Sequence, residues 1–491
     1  MRPVLTPEEM RAADERTIAA GTPESVLMER AGLGVAWAVR RWAGGCYGLR
    51  VVACCGKGNN GGDGLVAADA LESWGARVSR VRLGEGVDRA RVGRELGRGA
   101  VVVDAMFGTG FSGALEGDAA WLADAIADVG ARVVSVDIPS GVDGLTGAVE
   151  GPAVRADTTV VMAALKTGLV QEPGRSHAGE IEVVDIGIDL GSAPVARLGV
   201  TEAADVASWL PVREPDTHKW SVGGVMVVGG SDGMIGAPMM VSRAALRAGA
   251  GIIWCCVPGG TSGRMPPNEV ISRALPSHEG VLAVESAGEV LESIERFRAL
   301  VLGPGLGTGA SVAEAVRALV AGAEVPLVLD ADGLNALSGG LATLRGRSSP
   351  TVLTPHAGEY ERLAGTKVGR DRVAAARALA AGAEAVVVLK GSASIVATPD
   401  GRVAVNPTGS AALATAGTGD VLAGVVGAFL AQGMPAFEAA SAGAYVHGAC
   451  ADGLPAGGLV ASDLIEALPR TLEHVQDAGD VMLSGRDGEL G

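Results

Sequence analysis

The sequence predicts an α/β protein made of two three-layer α/β/α domains, and three observations predict it. Short apolar runs of strand length alternate with helix-like stretches, the rhythm of a parallel sheet covered on both faces. That rhythm stops at a charged, proline-bearing segment, residues 210–219, and then restarts. The chain has 491 residues, and single cores seldom grow past about 250–300.

The elements follow in order. Thr6-Pro7-Glu8-Glu9 is a helix start, with Thr as N-cap, Pro at the first position and Glu three residues after the cap. Thr22-Pro23-Glu24-Ser25 offers a second. A strand over 50–55 leads through a glycine loop into a helix over 65–74. Further strands are expected at 77–83, 101–105, 132–138, 157–163 and 180–186. The second series has strands at 224–230, 251–257, 299–303, 325–330, 351–353, 385–389 and 394–397, with a helix from about 237 to 248. The expected domains are 1–198 and 199–478, with a flexible polar tail over 479–491.

Composition narrows the function. Apolar residues are 48% and charged ones 20%, so the chain is globular. Aromatics are only 3%, which leaves the core to Ala, Val, Leu and Ile. The net charge of −16 argues against nucleic acid as a partner. It does not exclude nucleotides, because glycine loops and helix N-termini bind phosphate in acidic proteins. Residues 1–21 carry charges throughout and show no secretory h-region. The uncharged run 421–437 contains Gln432 and Pro435 and reads as a buried helix rather than a membrane span. The six cysteines have no CxxC or zinc spacing, so buried thiols in a reducing cytoplasm are expected.

Thr415-Ala416-Gly417-Thr418-Gly419-Asp420, followed at once by an apolar helix, is the most informative stretch. Glycines allow close backbone approach and a helix start attracts anions. An aspartate there would repel phosphate, but it serves if it takes a proton from an attacking hydroxyl. The other reading is an ordinary helix N-terminus with an acid favouring the dipole. In the first series, Gly56-Lys57-Gly58-Asn59-Asn60-Gly61-Gly62-Asp63-Gly64 contains a formal GxGxxG. This is a weak dinucleotide signal on its own, and a tight strand-to-helix turn would also explain it. Its Asn and Asp residues suggest specific polar contacts or an ion. Strands ending at Asp104 and Asp137 run into Ala105–Gly113 and Ile138-Pro139-Ser140-Gly141. Three strand ends thus aim Asn60, Asp104, Asp137 and Ser140 at one crevice, although acids there can also be loop caps.

GNNGGDG, DAMFGTGFSG and DIPSGVDG closely resemble the NAD(P)HX epimerase domain of the bifunctional NAD(P)H-hydrate repair enzymes, as do MAALKTGL from Met162 and VDIGI from Val184. The resemblance implies a Rossmann-like fold and a potassium ion on Asn60, Asp104 and Ser140. It implies that the hydrate is held by Asn59, Asn60, Gly61, Gly62 and Asp63 and by Gly108, Thr109, Gly110, Phe111, Ser112, Gly113 and Ala114. Asp137 would lie at its nicotinamide end as a catalytic residue. Lys166 is a candidate for phosphate binding or acid–base help, or is a solvated lysine.

The second series holds GGSDGMIGAP from Gly229, GPGLG from Gly303, DADGLN from Asp330, TPHAGE from Thr354, KGSAS from Lys390 and AGTGD from Ala416. There is no Walker loop, so a P-loop NTPase is not expected. The order of these motifs strongly resembles the ADP-dependent NAD(P)H-hydrate dehydratases of the ribokinase-like superfamily, over about residues 200–470. It implies that Ala237, Gly305, His356, Gly358, Glu359 and Asp420 contact the hydrate. Lys390, Gly391, Ser392, Ala393, Ser394, Ser410, Thr415, Ala416, Gly417, Thr418 and Gly419 would surround ADP, with Asp420 as base and Mg2+ bridging the phosphates. Ser394 replaces a usual Thr, Trp220 a common glycine, and Ser410-Ala411-Ala412-Leu413 a typical Asn-Pro-Gly-Met. The expected function is epimerisation of hydrated NAD(P)H and ADP-dependent dehydration of the S form. The alternative is a vitamin or sugar kinase fused to a non-catalytic ligand-binding module. Small-molecule substrates, no nucleic acid or membrane partner, a cytoplasmic location and a homo-oligomer are expected.

Overall fold

A computed structural model describes residues 1–191, 197–213, 215–259, 269–455 and 457–486, with side chains described only through residue 478. Two compact units divide the chain, Arg2–Leu198 and the part from Gly199 onward.

The first unit is built on six parallel strands: β1 (Arg50–Cys55), β2 (Arg77–Arg82), β3 (Val101–Ala105), β4 (Arg132–Val136), β5 (Thr158–Met162) and β6 (Glu180–Val184), in the order β2-β1-β3-β4-β5-β6. The side-chain period of two sorts each strand between two layers. Val51, Ala53 and Cys55 pack with α1 (Pro7–Ala19), α2 (Glu24–Ala43) and α3 (Asn59–Ser73). Val52 and Cys54 pack with α4 (Arg89–Leu96) and α5 (Gly117–Ala127) on the other face. The expected capping box at Thr6 and Glu9 is present. Two short strands were not anticipated: Arg2–Leu5 pairs in parallel with Leu165–Lys166.

Helix α3 departs from expectation. It begins at Asn59, so the motif taken as a loop forms the helix's first turns, and only Gly56–Gly58 remain as turn. The glycines serve close packing instead. A Cβ at Gly61 would stand 2.1 Å from the Gly56 carbonyl oxygen, and one at Gly64 2.3 Å from the Ala105 Cβ.

The second unit has strands β7 (Gly224–Val228), β8 (Ile252–Pro258), β9 (Ile271–Leu275), β10 (Ala299–Leu302), β11 (Leu327–Leu329), β12 (Thr351–Leu353), β13 (Val386–Leu389), β14 (Ile395–Ala397) and β15 (Val403–Val405). They run β9-β8-β7-β10-β11-β12-β13-β14-β15, parallel as far as β13 and antiparallel beyond. Its helices include α6 (Gly236–Arg247), α7 (Ala357–Ala364), α8 (Thr418–Ala431), α9 (Ala436–Asp452) and α10 (Ala461–Arg486). Helix α8 is buried all round from Val421 to Ala431, as its uninterrupted apolar sequence requires. Gly424 lets it cross α6 closely, since a Cβ there would lie 2.3 Å from the Val241 carbonyl oxygen.

The expected tail is shorter than its composition suggested. Residues 479–486 continue α10, and 487–491 lie outside the described residues. Extending a helix already formed costs little compared with nucleating one. All six cysteines are free and buried. No helix among the described residues is long and apolar enough to cross a membrane.

Candidate active sites

In the first unit, Asp104 ends β3 fully buried. Its carboxylate accepts hydrogen bonds from the Ser135 hydroxyl (2.9 Å), the Ser140 N–H (2.9 Å) and the Ser140 hydroxyl (2.6 Å). Burial pushes its pKa up, and these donors oppose the shift. No cationic side chain pairs with it among the described residues. The Ser140 hydroxyl also accepts from the Phe107 N–H at 3.0 Å, tying the third strand end to the second. Asn60 lies against the same turn. A Cβ at Gly108 would be 3.2 Å from its carboxamide, whose Nδ2 is buried without a partner. The buried carboxylate, the Ser140 hydroxyl and the Asn60 carboxamide oxygen form a hard oxygen-donor set, which fits a monovalent or divalent hard cation.

Asp137 follows β4 with a left-handed backbone, φ 65°, a rare conformation for an aspartate and one that concentrates at functional sites. Its carboxylate accepts from the Met162 N–H at 3.0 Å and from the Lys166 ammonium. Lys166 is fully buried and also donates to the Met162 carbonyl at 2.7 Å, so it is not a solvated lysine. Both residues line a cavity of about 790 Å3, together with Asn59, Asn60, Asp63, the Phe107–Ser112 loop and Asp14. Asp63 has its pKa pushed up to about 8 by burial, with the Asp137 and Asp14 charges adding and Lys166 opposing. A carboxyl whose pKa lies near 8 thus shares one cavity with the Lys166–Asp137 pair, the equipment of acid–base chemistry.

In the second unit, Gly417 takes φ 89°, which only glycine adopts freely, and α8 starts at Thr418. Asp420 is in that first turn. Burial raises its pKa to about 7, Asp330 adds to the rise and Lys390 opposes it. Lys390 donates to Asp330 at 2.8 Å and lies 3.7 Å from Glu359. Burial disfavours its charge, but Asp330, Glu359 and Asp420 outweigh that and raise its pKa. Asp330 also accepts from the Thr354 hydroxyl at 2.7 Å. Gly419 lies against this network, and a Cβ there would only make ordinary contact with the Lys390 Nζ, at 3.4 Å. The arrangement offers one base of near-neutral pKa, one ammonium and the open N–H groups of a helix start, a set suited to phosphoryl transfer.

Residues 225–471 match the family model described as NAD(P)H-hydrate dehydratase, and residues 24–92 and 82–168 match the model for the YjeF-related protein N-terminus. The bifunctional NAD(P)H-hydrate repair enzyme of Salinibacter ruber is 39% identical, over 95% of this chain and 96% of its own. That of Moorella thermoacetica is 38% identical, over 95% and 96%. The chain belongs to the bifunctional NAD(P)H-hydrate repair enzymes. Among solved structures, an ADP/ATP-dependent NAD(P)H-hydrate dehydratase from Bacillus subtilis, co-crystallised with ATP and Mg2+, matches 56% of this chain and 98% of its own, with TM-score 0.51 and 32% identity. A ribokinase-like superfamily protein from Enterococcus faecalis, 24% identical at TM-score 0.50, shares the fold over 57% of this chain and 97% of its own.

For this family member, the structure gathers most of the expected residues but gives several of them a different position. Asn59, Asn60, Asp63, Gly108, Thr109, Gly110, Phe111, Ser112, Asp137 and Lys166 line the first cavity. Gly61, Gly62, Gly113 and Ala114 do not. Gly61 packs on Gly56, and a Cβ at Gly62 would meet the Met28 side chain at 2.7 Å. Asp14, Glu24 and Met28 also line the cavity but were not anticipated, because α1 and α2 reach it only through tertiary packing. Glu24 accepts from the Asn59 side chain at 2.8 Å.

In the second unit, Ala237 and Gly305 are neighbours, with 3.3 Å between the Ala237 Cβ and a Cβ built at Gly305. His356 caps α7, its Nδ1 accepting from the Gly358 N–H (3.0 Å) and the Glu359 N–H (3.3 Å). The neutral ring therefore carries its proton on Nε2. Ala393 is buried, and the Thr418 hydroxyl is spent on the Leu413 and Thr415 carbonyls. Ala393 can then offer a nucleotide only backbone groups, and the Thr418 hydroxyl only its acceptor lone pairs. Lys390 and Gly391 follow β13, with Ser392 and Ser394 in the same loop. Ser410 caps the single turn Ala411–Leu413, and Thr415 and Ala416 lead into Gly417.

Proposed function

We infer that this chain returns hydrated NAD(P)H to NAD(P)H. It epimerises the R and S hydrates and dehydrates the S form with ADP, releasing AMP and phosphate. The observation that supports this best is the setting of Asp420, a near-neutral carboxylate at a helix start beside the Lys390–Asp330 pair.

The hydrate carries a hydroxyl on C6 of the reduced ring, and hydroxide is a poor leaving group near neutral pH. Asp420 takes the hydroxyl proton as the oxygen attacks the β-phosphate of ADP. The new O–P bond forms as the bond to AMP breaks. The N–H groups after Gly417 and the Lys390 charge receive the negative charge that builds on the phosphoryl oxygens. Phosphate then leaves with the C6–O bonding pair, C5 loses a proton, and the ring double bond returns. Mg2+ bound with the nucleotide phosphates would supply positive charge there.

In the first unit, Asp137, Lys166 and Asp63 are proposed to move protons at the C6 hydroxyl so that it departs and returns on either face. Asn60, Asp104 and Ser140 would hold a potassium ion, which supplies positive charge against the buried carboxylate. The absence of a cationic partner for the buried Asp104 among the described residues supports that reading.

Hydrated NADPH incubated with ADP and the chain should recover dihydronicotinamide absorbance, with one AMP and one phosphate per NADPH formed. A stable phosphorylated alcohol accumulating in place of NADPH would mark a kinase instead.

A further inference from the structure

A second cavity in the first unit, of about 560 Å3, lies at the amino-terminal rim of the sheet, at the opposite strand ends from the cavity of Asp104 and Asp137. Five arginines line it: Arg50, Arg77, Arg80, Arg91 and Arg98, against two acids, Glu72 and Glu95. Arg50 and Arg77 are register partners that open β1 and β2. Arg91 comes from α4, and Arg98 from the turn after it. Arg80 is already neutralised by Asp69 (2.6 Å) and Glu72 (2.9 Å). The other four guanidinium groups make no ion pair or hydrogen bond among the described residues.

Four unpaired cations around one cavity reverse the local field of a chain whose net charge is −16. Protection of an exposed sheet edge would explain arginines on β2, the edge strand. It does not explain Arg50 on the interior strand β1, or Arg91 and Arg98 arriving from the helical layer. Guanidinium forks match phosphate oxygens in pairs. The volume suits a small molecule. Tyr47, 97% exposed, does not line the cavity but lies against Gly75, next to the lining residue Ala76, its ring 3.1 Å from a Cβ at Gly75. It is held there by the Gly48 N–H donating to the Gly75 carbonyl (2.9 Å) and the Arg77 N–H to the Leu49 carbonyl (2.7 Å). An exposed ring near the cavity offers a stacking face for a base.

We propose that this arginine cavity is a second, non-catalytic site for a phosphate-bearing small molecule of nucleotide type, its phosphates among Arg50, Arg77, Arg91 and Arg98 and its base on Tyr47. Nucleic acid is the poorer fit, since one small patch on an acidic chain gives little of the extended basic footprint a polyanion needs.

Hydrogen exchange on the full chain locates the site, with inorganic tripolyphosphate and ADP as probes at low salt. Both should slow exchange over residues 77–99. The double variant Arg91→Glu/Arg98→Glu should weaken that protection by about ten-fold or more, the scale of two lost charge-assisted contacts. Its ADP-dependent dehydration rate should be unchanged. Tyr47→Ala should weaken ADP there and leave tripolyphosphate unaffected. The proposal is overturned by no protection of 77–99 at millimolar probe, by equal protection in the double variant, or by a single-stranded oligonucleotide that protects more strongly at equal phosphate.

Discussion

At Asp420, burial and the Asp330 charge raise the pKa to about 7 while Lys390 pulls it down. Only the ionised carboxylate can take a proton, so kcat/KM for dehydration should rise with pH and level off above about 7. Asp330→Asn removes a like charge and frees Lys390 from its partner. Both changes favour ionised Asp420, so the rising limb should move to lower pH; a limb that stays in place would show that Asp330 does not set this field. Asp420→Asn should cut turnover by about 10²–10⁴-fold while calorimetry still finds ADP bound. The same shift bears on stability. The folded pKa lies above the unfolded one, so the favourable contribution is complete below about pH 4 and is lost as pH rises through about 7. Asp420→Asn should therefore be more stable than the parent at pH 8, by about 1–3 kcal/mol after allowing for partial solvent exposure, and no more stable at pH 4. Thermal melts at the two pH values check the sign.

Helix α3 shows how far an element can be read from its sequence. Five glycine and asparagine residues in a row suggested a loop, yet Gly61, Gly64, Ala67, Ala68 and Leu71 form its buried face at helical spacing. That spacing was visible; composition outweighed it. Gly61→Ala should cost about 1–3 kcal/mol by overpacking, because a Cβ would stand 2.1 Å from backbone oxygen that cannot move aside. Gly58→Ala, with nothing within 4 Å, should be close to neutral. Equal melting temperatures for the two variants would refute the packing role. The parallel strands apart from β9 were legible to within a few residues, because a strand buried on both faces is a short unbroken apolar run; β9, exposed over most of its length, gives no such run. The strand ends carrying Asp104, Asp137, Asp330 and Lys390 were legible for the same reason. What distant segments decide was not. Lys166 is buried because Leu165–Lys166 pairs with Arg2–Leu5, some 160 residues away in sequence. Asp14 and Met28 reach the first cavity on helices whose own sequences show only caps and an apolar face.

The two activities in one chain answer a stereochemical problem. Adding water at C6 makes two epimers, and a dehydratase site built from L-residues accepts one, the S form. With ADP alone, a dehydratase would strand the R form until it epimerised unaided. The full chain should therefore convert a mixed hydrate completely, in a single progress curve whose amplitude equals total hydrate. Asp137→Ala removes the carboxylate that holds Lys166 in the first cavity and leaves the Asp420 network untouched. Its progress curve should split in two. The fast phase should keep the parent rate and account for the S form. The slow phase should run at the spontaneous epimerisation rate and stay unchanged when variant concentration is raised ten-fold. The measurement is dihydronicotinamide absorbance against time at several enzyme concentrations. A slow phase that quickens in proportion to the variant would mean that Asp137 is not needed for epimerisation, and proton transfer in that cavity would then fall to Asp63 and Lys166.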